Sequence, residues 1–587
     1  MRTYLKYGAI ATTLLVALFT AFTTLYSWLH YQWPGIYADA WDFLEFAEKY
    51  YQGLLTWNDW FDAYSLTHRL AIPRLVFLAD FDHFGAHNLL SNGVSLFCHL
   101  GALALLLLAL QKTPLLSGIE KIFLCSFFVF TMLHAGQLYN LTNPTHNQLF
   151  LAMFFVMAAA YLYYVHFSSS TRELKLHELV VIGLLFVFAT CSNFFGLIAW
   201  AVLVALMLAQ NAKPSARIVL AGLFAIICFL YFPLPNIDVK GVAGVPGAKV
   251  SLTNFIPDGT STYEVVRQVV VYLGGFFSYP LSLEYGALTI IAGCFVFVFA
   301  CFLAIRVFVG KHTPPFFKYL FLLLLIGNTS IVLSRFVFSD PRALRFNFYQ
   351  LWFVVALVAV MFFEMRKSCW LLWTRWVLTI MMTVLLINTH LFELDEHYQR
   401  YIKVTKANLA YYVGSDTAYR SHIVNIFEVK AKVNALTQYR DFLTLHEVGP
   451  FSQYSSFDWN QVPQTSQQPD ATCKIKKMQL KRWDNQVVEL RGVLLQKPET
   501  MEGASWIVLN HQNKPLGLGI IFDDQDILSS LRILLGREKD SSLQHRWAIF
   551  FRGELPEDKL VKLWLKSPEG NFICGMDVTL EDVSEFD

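Results

Sequence analysis

The run GAIATTLLVALFTAFTTLYSWLH, residues 8–30, is the stretch that decides the fold. It contains no Asp, Glu, Lys or Arg, and it is long enough to cross about 30 Å of hydrocarbon as one α-helix. Similar runs recur along the chain, which is 55% hydrophobic and 15% charged, against roughly 25% charged residues in soluble domains. We therefore predict an α-helical polytopic membrane protein with about eleven transmembrane helices, at residues 8–30, 89–110, 119–135, 147–168, 177–191, 194–210, 216–233, 286–308, 318–334, 347–365 and 371–391.

Lysine and arginine are distributed unevenly among the predicted loops. They recur in alternate loops, which share one side of the membrane if the helices number eleven: Arg2 and Lys6, Lys112 and Lys121, Arg172 and Lys175, Lys213 and Arg217, Arg306, Lys311 and Lys318, and Arg366, Lys367 and Arg375. The positive-inside tendency makes that side cytoplasmic. The N-terminus is then cytoplasmic, and residues 31–88, 234–285, 335–346 and everything after 392 face outward. No small-residue cleavage site follows the first run, so we expect a retained helix rather than a signal peptide.

Three parts are predicted along the chain. Residues 1–391 form the transmembrane domain with its outer loops. Residues 392–471 begin as a polar helical stretch, from Glu393 to about Leu445, and end in a linker rich in Ser, Gln and Pro. Residues 472–587 are predicted to form an extracytoplasmic β domain of the sandwich type, with strands at Val487–Gln496, Trp506–Asn510, Leu516–Phe522, Arg546–Arg552, Lys559–Lys566 and Phe572–Val578.

The sequence leaves two features of the β domain open. Cys473 and Cys574 are its only cysteines, and they can pair if the compartment is oxidising, although the sequence does not show that they are close. Its tryptophans offer faces that could stack on a sugar, but filling the core of the domain is the favoured alternative for Trp483, Trp506, Trp547 and Trp564.

Asp39 and Asp42 lie directly after the first apolar run, in the sequence YADAWDFLE of residues 37–45. Residues 39–51 are predicted to form a helix along the membrane surface, on which carboxylates three residues apart project in neighbouring directions. Because a charge held near hydrocarbon is costly, the pair indicates a functional role. The alternative is that both carboxylates cap the N-terminus of this helix.

Basic side chains on the predicted outer face are candidates for binding an anion. His68 and Arg69 stand in the first outer loop, and Arg335, Arg342 and Arg345 stand in a later outer loop, where positive charge is normally sparse. The planar guanidinium suits a phosphate group through its fork of donors. The alternative is that these side chains contact lipid headgroups.

Polar residues also gather at other outward helix ends. They are predicted to line a cavity that opens outward or, alternatively, to be loop and capping residues; Gln137, Asn143 and Asn193 are the candidates for binding an acceptor. His134 and His146 lack a nearby third ligand, so no metal site is predicted there. Because no P-loop, HExxH or GxSxG motif occurs in a usable context, we expect no soluble nucleotide chemistry and no nucleic-acid partner.

Taken together, these residues resemble the GT-C superfamily of membrane glycosyltransferases, in particular an uncharacterised bacterial branch with about eleven spans. Asp39-Ala40-Trp41-Asp42 is similar to the acidic, aromatic helix that follows the first span in that family, and His68-Arg69 is similar to its histidine-arginine pair. The resemblance extends over residues 1–391. It also includes the Gln/Asn-rich turn at 137–148, the small-polar break at 192–196, and the late arginine in Arg345-Phe346 with Arg335 upstream.

The resemblance implies transfer of a sugar from a polyprenyl-phosphate donor to an extracytoplasmic acceptor, which is a cell-envelope glycan, a lipid or a protein. Asp39, with Asp42 beside it, would be the catalytic carboxylate that deprotonates the acceptor hydroxyl, and a single displacement would invert the anomeric configuration. Positive groups would stabilise the departing lipid phosphate: Arg345 first, then Arg69 and Arg335, with His68 and Arg342 as further ligands.

The resemblance also bears on cofactors and location. Metal-dependent members have a more complete set of carboxylates, so we expect no required metal, with Mg²⁺ or Mn²⁺ as the open alternative. The implied location is the bacterial inner membrane, in contact with membrane lipid, with the C-terminal domain in the periplasm. Two other functions are left open, a transporter or flippase of a lipid-linked saccharide and a non-catalytic scaffold of the envelope. A polymerase of lipid-linked repeat units would be a neighbouring chemistry.

Overall fold

The computed structural model of the 587-residue chain describes residues 2–33, 35, 40–61, 63–64, 68–166, 174–209, 213–231, 262–278, 287–310, 312–335, 347–366, 369–414, 417–419, 421–422, 433–446, 448, 451, 472–483, 487–494, 505–510, 514–523, 545–552, 559–566 and 572–585. The chain divides into two compact units. Unit 1 comprises Met1–His30, Gln52–Ala79 and Leu90–Leu394, and unit 2 comprises Tyr31–Tyr51, Asp80–Leu89 and Asp395–Asp587. Unit 2 therefore includes two short segments of the predicted transmembrane domain as well as the C-terminal part.

The α-helices, in chain order, are α1 Arg2–His30, α2 Ala40–Tyr51, α3 Trp57–Phe61, α4 Ala71–Phe84, α5 Leu89–Gln111, α6 Gly118–Met132, α7 Leu138–Leu141, α8 Asn147–Tyr161, α9 Leu176–Ser192, α10 Phe195–Ala209, α11 Pro214–Tyr231, α12 Thr262–Ser278, α13 Ala287–Val309, α14 Pro315–Arg335, α15 Asn347–Glu364, α16 Cys369–Val413 and α17 Val433–Leu445. Shorter 3₁₀ turns lie at Ala135–Gln137, Pro144–His146 and Leu580–Asp582, and a π-helical turn lies at Leu162–His166.

Eight helical segments among the described residues are long and apolar enough to cross a bilayer: Ile10–His30, Leu89–Gln111, Pro144–Val165, Pro214–Tyr231, Thr289–Val309, Pro315–Val332, Asn347–Glu364 and Trp373–Val413. Each overlaps a predicted span, and together they indicate a membrane-associated protein. The other three predicted spans are shorter or broken. Gly118–Met132 and Ala135–Leu141 are bent by 42° relative to each other, and α9 and α10 are short apolar helices on either side of the predicted interruption.

α15 is a fully buried helix of unit 1. Every residue from Asn347 to Glu364 is buried, as expected of a helix that is apolar on all sides. At its C-terminal end Arg375 of α16 donates to the carbonyl oxygen of Phe362 (2.7 Å) and forms an ion pair with Glu120 of α6. The Arg375 side chain is 2% exposed. It was one of the basic residues used to predict the orientation of the chain, but in the structure it is buried and links α6, α15 and α16.

The β-strands form a hairpin in unit 1 and a sheet in unit 2. The hairpin consists of β1 Ala63–Tyr64 and β2 His68–Arg69. Among the described residues eight strands form the sheet: β3 Ile475–Arg482, β4 Val487–Leu494, β5 Ser505–Leu509, β6 Pro515–Asp523, β7 His545–Arg552, β8 Leu560–Lys566, β9 Phe572–Thr579 and β10 Ser584–Glu585. Their order is β10-β3-β4-β7-β6-β5-β8-β9, antiparallel except for the parallel pair β10 and β3.

Both faces of this sheet are covered within unit 2. On one face Trp506 and Trp547 pack in a core that includes the disulfide Cys473–Cys574. On the other face Phe550 and its neighbours pack against residues 395–413 of α16. Because a helix covers this second face, the domain is a largely antiparallel half-barrel and not the predicted sandwich of two sheets.

All six predicted strands are confirmed, whereas β3 and β10 were not predicted. The sequence of β3, IKKMQLKR, contains few apolar residues, because it lies near an edge of the sheet where lysines are common. α16 continues beyond the predicted end of the last span to Val413, as part of the predicted polar helical stretch. Residues 452–471 of the predicted linker lie outside the described residues.

Candidate functional site

The predicted catalytic and phosphate-binding residues fall mostly outside the described part of the chain. Asp39, Arg342 and Arg345 are not among the described residues. Asp42 lies in α2 and Arg335 ends α14, but their side chains are not described. Their roles stay predictions. The other predicted site residues are described, and they lie in unit 1.

The segment that leads to α2 is held by a group of hydrogen bonds in unit 2. Asn88 donates from Nδ2 to the carbonyl oxygens of Trp33 (3.0 Å) and Gly35 (2.6 Å), and its backbone N–H donates to Oδ1 of Asp80 (3.0 Å). Gly35 has φ of +79°, and a Cβ there would stand 2.9 Å from Nδ2 of Asn408. The positive φ therefore favours glycine at this position, and a Cβ would also require the Asn408 side chain to shift. The sequence pattern did not point to Asn88, because its partners are remote in the chain.

α2 packs onto α17 within unit 2. Phe43 is buried on the inner side of α2, and the ring of Tyr51 lies 4.4 Å from that of His446 and 6.0 Å from that of Phe442. The hydroxyl of Tyr51 donates to Asp82. Burial, and then the hydrogen bond to this carboxylate, raises the pKa of Tyr51, which stays a donor. The aromatic side chain of Tyr51, on the helix predicted to lie along the membrane surface, thus contacts a neighbouring helix.

The hairpin places His68 and Arg69 against the ends of two helices of unit 1. Arg69 donates from Nε (3.1 Å) and Nη2 (2.9 Å) to the carbonyl oxygen of Tyr231, the last residue of α11, and from Nη1 to the carbonyl oxygen of Phe61. Its guanidinium lies 5.3 Å from the centre of the Tyr231 ring. Nδ1 of His68 accepts from the N–H of Phe194 (3.4 Å). Arg69 therefore donates to backbone carbonyl oxygens and links the hairpin to the end of α11 and to Phe61.

The break between α9 and α10 connects to the start of α8. Asn193 donates from Nδ2 to Oε1 of Gln148 (2.9 Å), and its Oδ1 accepts from the N–H of Phe195 (3.0 Å), the first residue of α10. A Cβ on Gly196 would lie 2.4 Å from the carbonyl carbon of Ala189 in α9, so the two helices approach closely at the break. Asn193 is thus a capping residue and also a link between two helix ends.

Between α6 and α8 the chain makes an irregular turn that is buried in unit 1, and two histidines hold it. Nδ1 of His134 accepts from the N–H of Gly136 (2.9 Å), and Nδ1 of His390 accepts from the N–H of Ala135 (2.9 Å). Nε2 of His134 contacts the carbonyl oxygen of Leu386 (2.8 Å). Nε2 of His390 contacts the hydroxyl of Thr23 in α1 (2.8 Å). Because both Nδ1 atoms accept, both protons are assigned to Nε2. The rings act as structural caps.

Asn143 caps the second 3₁₀ turn in the same segment. Its Oδ1 accepts from the N–H (3.2 Å) and the hydroxyl (2.8 Å) of Thr145, while Nδ1 of His146 lies 2.8 Å from Oδ1 of Asn140. These contacts correspond to the capping role that the sequence left open for Asn143. Within the described ranges no group of three or more His, Cys, Asp or Glu side chains could hold a metal ion.

Gln137 differs from the other polar residues of this turn. It is fully buried, and among the described residues neither its Oε1 nor its Nε2 has a hydrogen-bond partner. Oδ1 of Asn147 and Nδ1 of His99 are likewise buried without a partner in the described part of the chain, and Nε2 of His99 contacts the carbonyl oxygen of Met132, where the turn begins (2.7 Å). An unpaired buried polar group costs about 1–3 kcal/mol, which makes the side-chain amide of Gln137 a candidate for binding a polar ligand.

Most of these polar side chains at the helix ends of unit 1 are neutral and hydrogen-bond to one another or to the backbone. Comparisons of the chain with protein-family models, with curated proteins and with solved structures find no match.

Proposed function

We propose that the protein is a membrane glycosyltransferase that moves a sugar from a polyprenyl-phosphate donor to an extracytoplasmic acceptor. The first support is the resemblance of residues 1–391 to the GT-C superfamily. The second is the set of eight apolar helices, since a donor with a polyprenyl tail resides in the bilayer.

One observation carries the proposal furthest. Segments that the sequence singled out separately meet in unit 1: His68 contacts the N–H of Phe194 (3.4 Å), and Asn193 contacts Gln148 (2.9 Å). These residues belong to three different motifs of the resemblance and are far apart in the chain. Convergence of remote polar segments where α8 and α10 begin and α9 and α11 end is what a substrate pocket in a helical bundle requires. Gln137, whose side chain has no hydrogen-bond partner in the described part of the chain, belongs to the segment that leads to Gln148.

The proposed reaction is a single displacement. Asp39 removes the proton of the acceptor hydroxyl while its oxygen bonds to the anomeric carbon, and the bond from that carbon to the lipid phosphate breaks. The departing polyprenyl phosphate gains negative charge, which Arg345 and Arg335 would stabilise. The guanidinium of Arg69 donates to backbone carbonyl oxygens. In this scheme Arg69 therefore positions the first outer loop and does not bind the phosphate.

The disulfide of unit 2 supports the proposed side of the membrane. Cys473 and Cys574 are bonded, and disulfides persist in the periplasm and outside the cell but are rare in the cytosol. This agrees with the orientation proposed from lysine and arginine, in which everything after residue 392 lies outside the cytoplasm.

The test is donor turnover by Asp39→Asn in the full-length protein, reconstituted in lipid nanodiscs. A panel of undecaprenyl-phosphate sugars is supplied with a cell-envelope extract as acceptor, and release of undecaprenyl phosphate is measured. Loss of the base should lower turnover by about 10²–10⁴-fold, while donor binding and thermal stability stay at wild-type levels.

The matched control is Glu45→Gln, which neutralises an exposed carboxylate of α2 that pairs with Lys49. It should retain full turnover. A transporter would keep part of its flux in Asp39→Asn when movement of the donor between leaflets is followed in vesicles. An envelope scaffold would turn over no donor in any variant. Wild-type turnover in Asp39→Asn would remove the proposed base.

A further inference from the structure

Glu489 of β4 is a fully buried carboxylate in unit 2, on the face of the sheet that packs against α16. Its Oε2 accepts from Nε1 of Trp483 (2.8 Å) and lies 3.4 Å from Nε2 of His422, and its Oε1 accepts from Nε of Arg491. Buried charges are normally paired in this way. Its side chain is 0% exposed, whereas that of Arg491 is 33% exposed, so the group of charges extends from the interior towards solvent.

Further positive charges share this face of the sheet. The register pairs Glu489 with Phe550, Arg491 with Ala548, and Arg546 with Phe522. Since side chains alternate between faces along a strand, Glu489, Arg491 and Arg546 point to the same side. Arg546 is exposed, so it stands at the solvent end of the row.

Lys406 of α16 completes the group from the helix side. Its Nζ lies 5.4 Å from the centre of the Phe522 ring, which is the direct cross-strand neighbour of Arg546. The ammonium interacts electrostatically with Arg491, Glu489 and Arg546. Within the described residues it has no hydrogen bond or ion pair, although it is partly buried. Lys406 thus interacts with two arginines and one carboxylate, and that carboxylate already accepts hydrogen bonds from Trp483 and Arg491.

We propose that Lys406, Arg491 and Arg546 form a binding site for an oxyanion, the phosphate or carboxylate group of a soluble ligand. The ammonium of Lys406 has no hydrogen-bond acceptor among the described residues, and Glu489 offsets the repulsion from the two guanidinium groups only in part. A bound anion would lower this electrostatic cost. Arginine forks and a lysine point charge are the groups that proteins use for phosphate and carboxylate. The site lies within unit 2, and it does not depend on the proposed glycosyl transfer.

The experiment measures anion binding by the full-length protein in lipid nanodiscs at constant ionic strength. Inorganic phosphate and acetate are titrated separately in exchange for chloride, and the unfolding midpoint and the binding heat are recorded. Phosphate or acetate should bind saturably, and a response to phosphate alone identifies a phosphate site. Lys406→Met removes the ammonium but leaves an unbranched chain to cover Phe522, and it should weaken binding about tenfold, as for loss of one charge-assisted hydrogen bond.

The matched control is Lys403→Met, which removes an exposed lysine one turn earlier in α16 and should bind as the wild type does. Glu489→Gln removes the described carboxylate of the group. It should lower the unfolding midpoint without anion, bind phosphate about tenfold more tightly, and regain stability when phosphate is added. Equal responses to chloride, or a Lys406→Met titration that superimposes on that of the wild type, would overturn the proposal. A destabilised Glu489→Gln protein that phosphate does not rescue would also overturn it.

Discussion

Removal of the Cys473–Cys574 disulfide is predicted to destabilise unit 2 by about 5 kcal/mol. The bond joins residues separated by 101 positions, a loop that includes almost the whole sheet. In the chain-entropy treatment, closing a loop of about 100 residues stabilises the folded state by about 4.7 kcal/mol, because it restricts the unfolded chain. The native contacts beside the bond survive its removal, since the N–H of Cys473 donates to the carbonyl oxygen of Gly575 (3.1 Å).

The variant is the double replacement Cys473→Ser and Cys574→Ser in the full-length protein, unfolded by heat in nanodiscs without reductant. In a unit of about 150–250 residues each 1 kcal/mol moves the midpoint by about 2–4 °C, so the transition of unit 2 should fall by about 10–20 °C. Hydrogen exchange in peptides from β3 and β9 assigns the transition to the sheet. Cys294→Ser is the control, because it replaces an exposed free thiol in α13.

A midpoint within about 2 °C of the wild type, with unchanged protection of β9, would refute the loop-closure argument. Reduction of the wild-type protein provides a second arm and should reproduce the loss seen in the serine variant. If only the serine variant loses stability, the loss comes from replacing buried sulfur with hydroxyl groups and not from opening the loop.

Two further predictions concern the helix break and the buried carboxylate. Gly196→Ala should lower the stability of unit 1 by about 1–3 kcal/mol, because its Cβ would collide with the backbone of Ala189; thermal unfolding measures this, and Gly222→Ala, with open space around the new Cβ, should be neutral. Burial of Glu489 opposes its ionisation, but the interactions with His422 and Arg491 outweigh it and hold its pKa at about 2, below the ordinary 4.5. Its contribution to stability, about 3 kcal/mol, is therefore complete above pH 4.5 and is lost as the pH falls towards 2. Glu489→Gln should flatten the acid side of a stability-against-pH curve, and an unchanged slope would contradict this account.

Composition was sufficient to predict most helices of unit 1, because an apolar run of about 20 residues has few alternatives to a helix. It was less informative for α16, whose second half is covered by the sheet of unit 2. There Tyr398, Ile402 and Leu409 pack against the sheet at helical spacing. Because the residues between them are polar, the sequence analysis predicted this half of α16 as a segment separate from the last span. The sandwich prediction was wrong for the same reason, since strand patterns reveal a buried face but not what covers it.

Predicting contacts from sequence was harder than predicting helices. Arg69 was singled out as a phosphate ligand, yet its donors reach the carbonyl oxygens of Tyr231 and Phe61. The first of these partners is 162 positions away, and a backbone carbonyl carries no residue-type signal. Lys406 and Glu489 were not singled out at all, because single charges on a helix and a strand are ordinary until the fold brings them together.

Hydrogen-bond satisfaction separates the polar residues that maintain the fold from those suited to a ligand. An irregular backbone segment buried among apolar helices must have its N–H and C=O groups paired within the protein. His134, His390 and Asn143 do this for the turn before α8, so their burial needs no ligand to explain it. Gln137 stabilises none of that backbone through its side chain in the described structure, and leucine would fill the space without the cost of an unpaired amide. Among the described residues of this turn, Gln137 is therefore the polar side chain whose burial local folding does not explain.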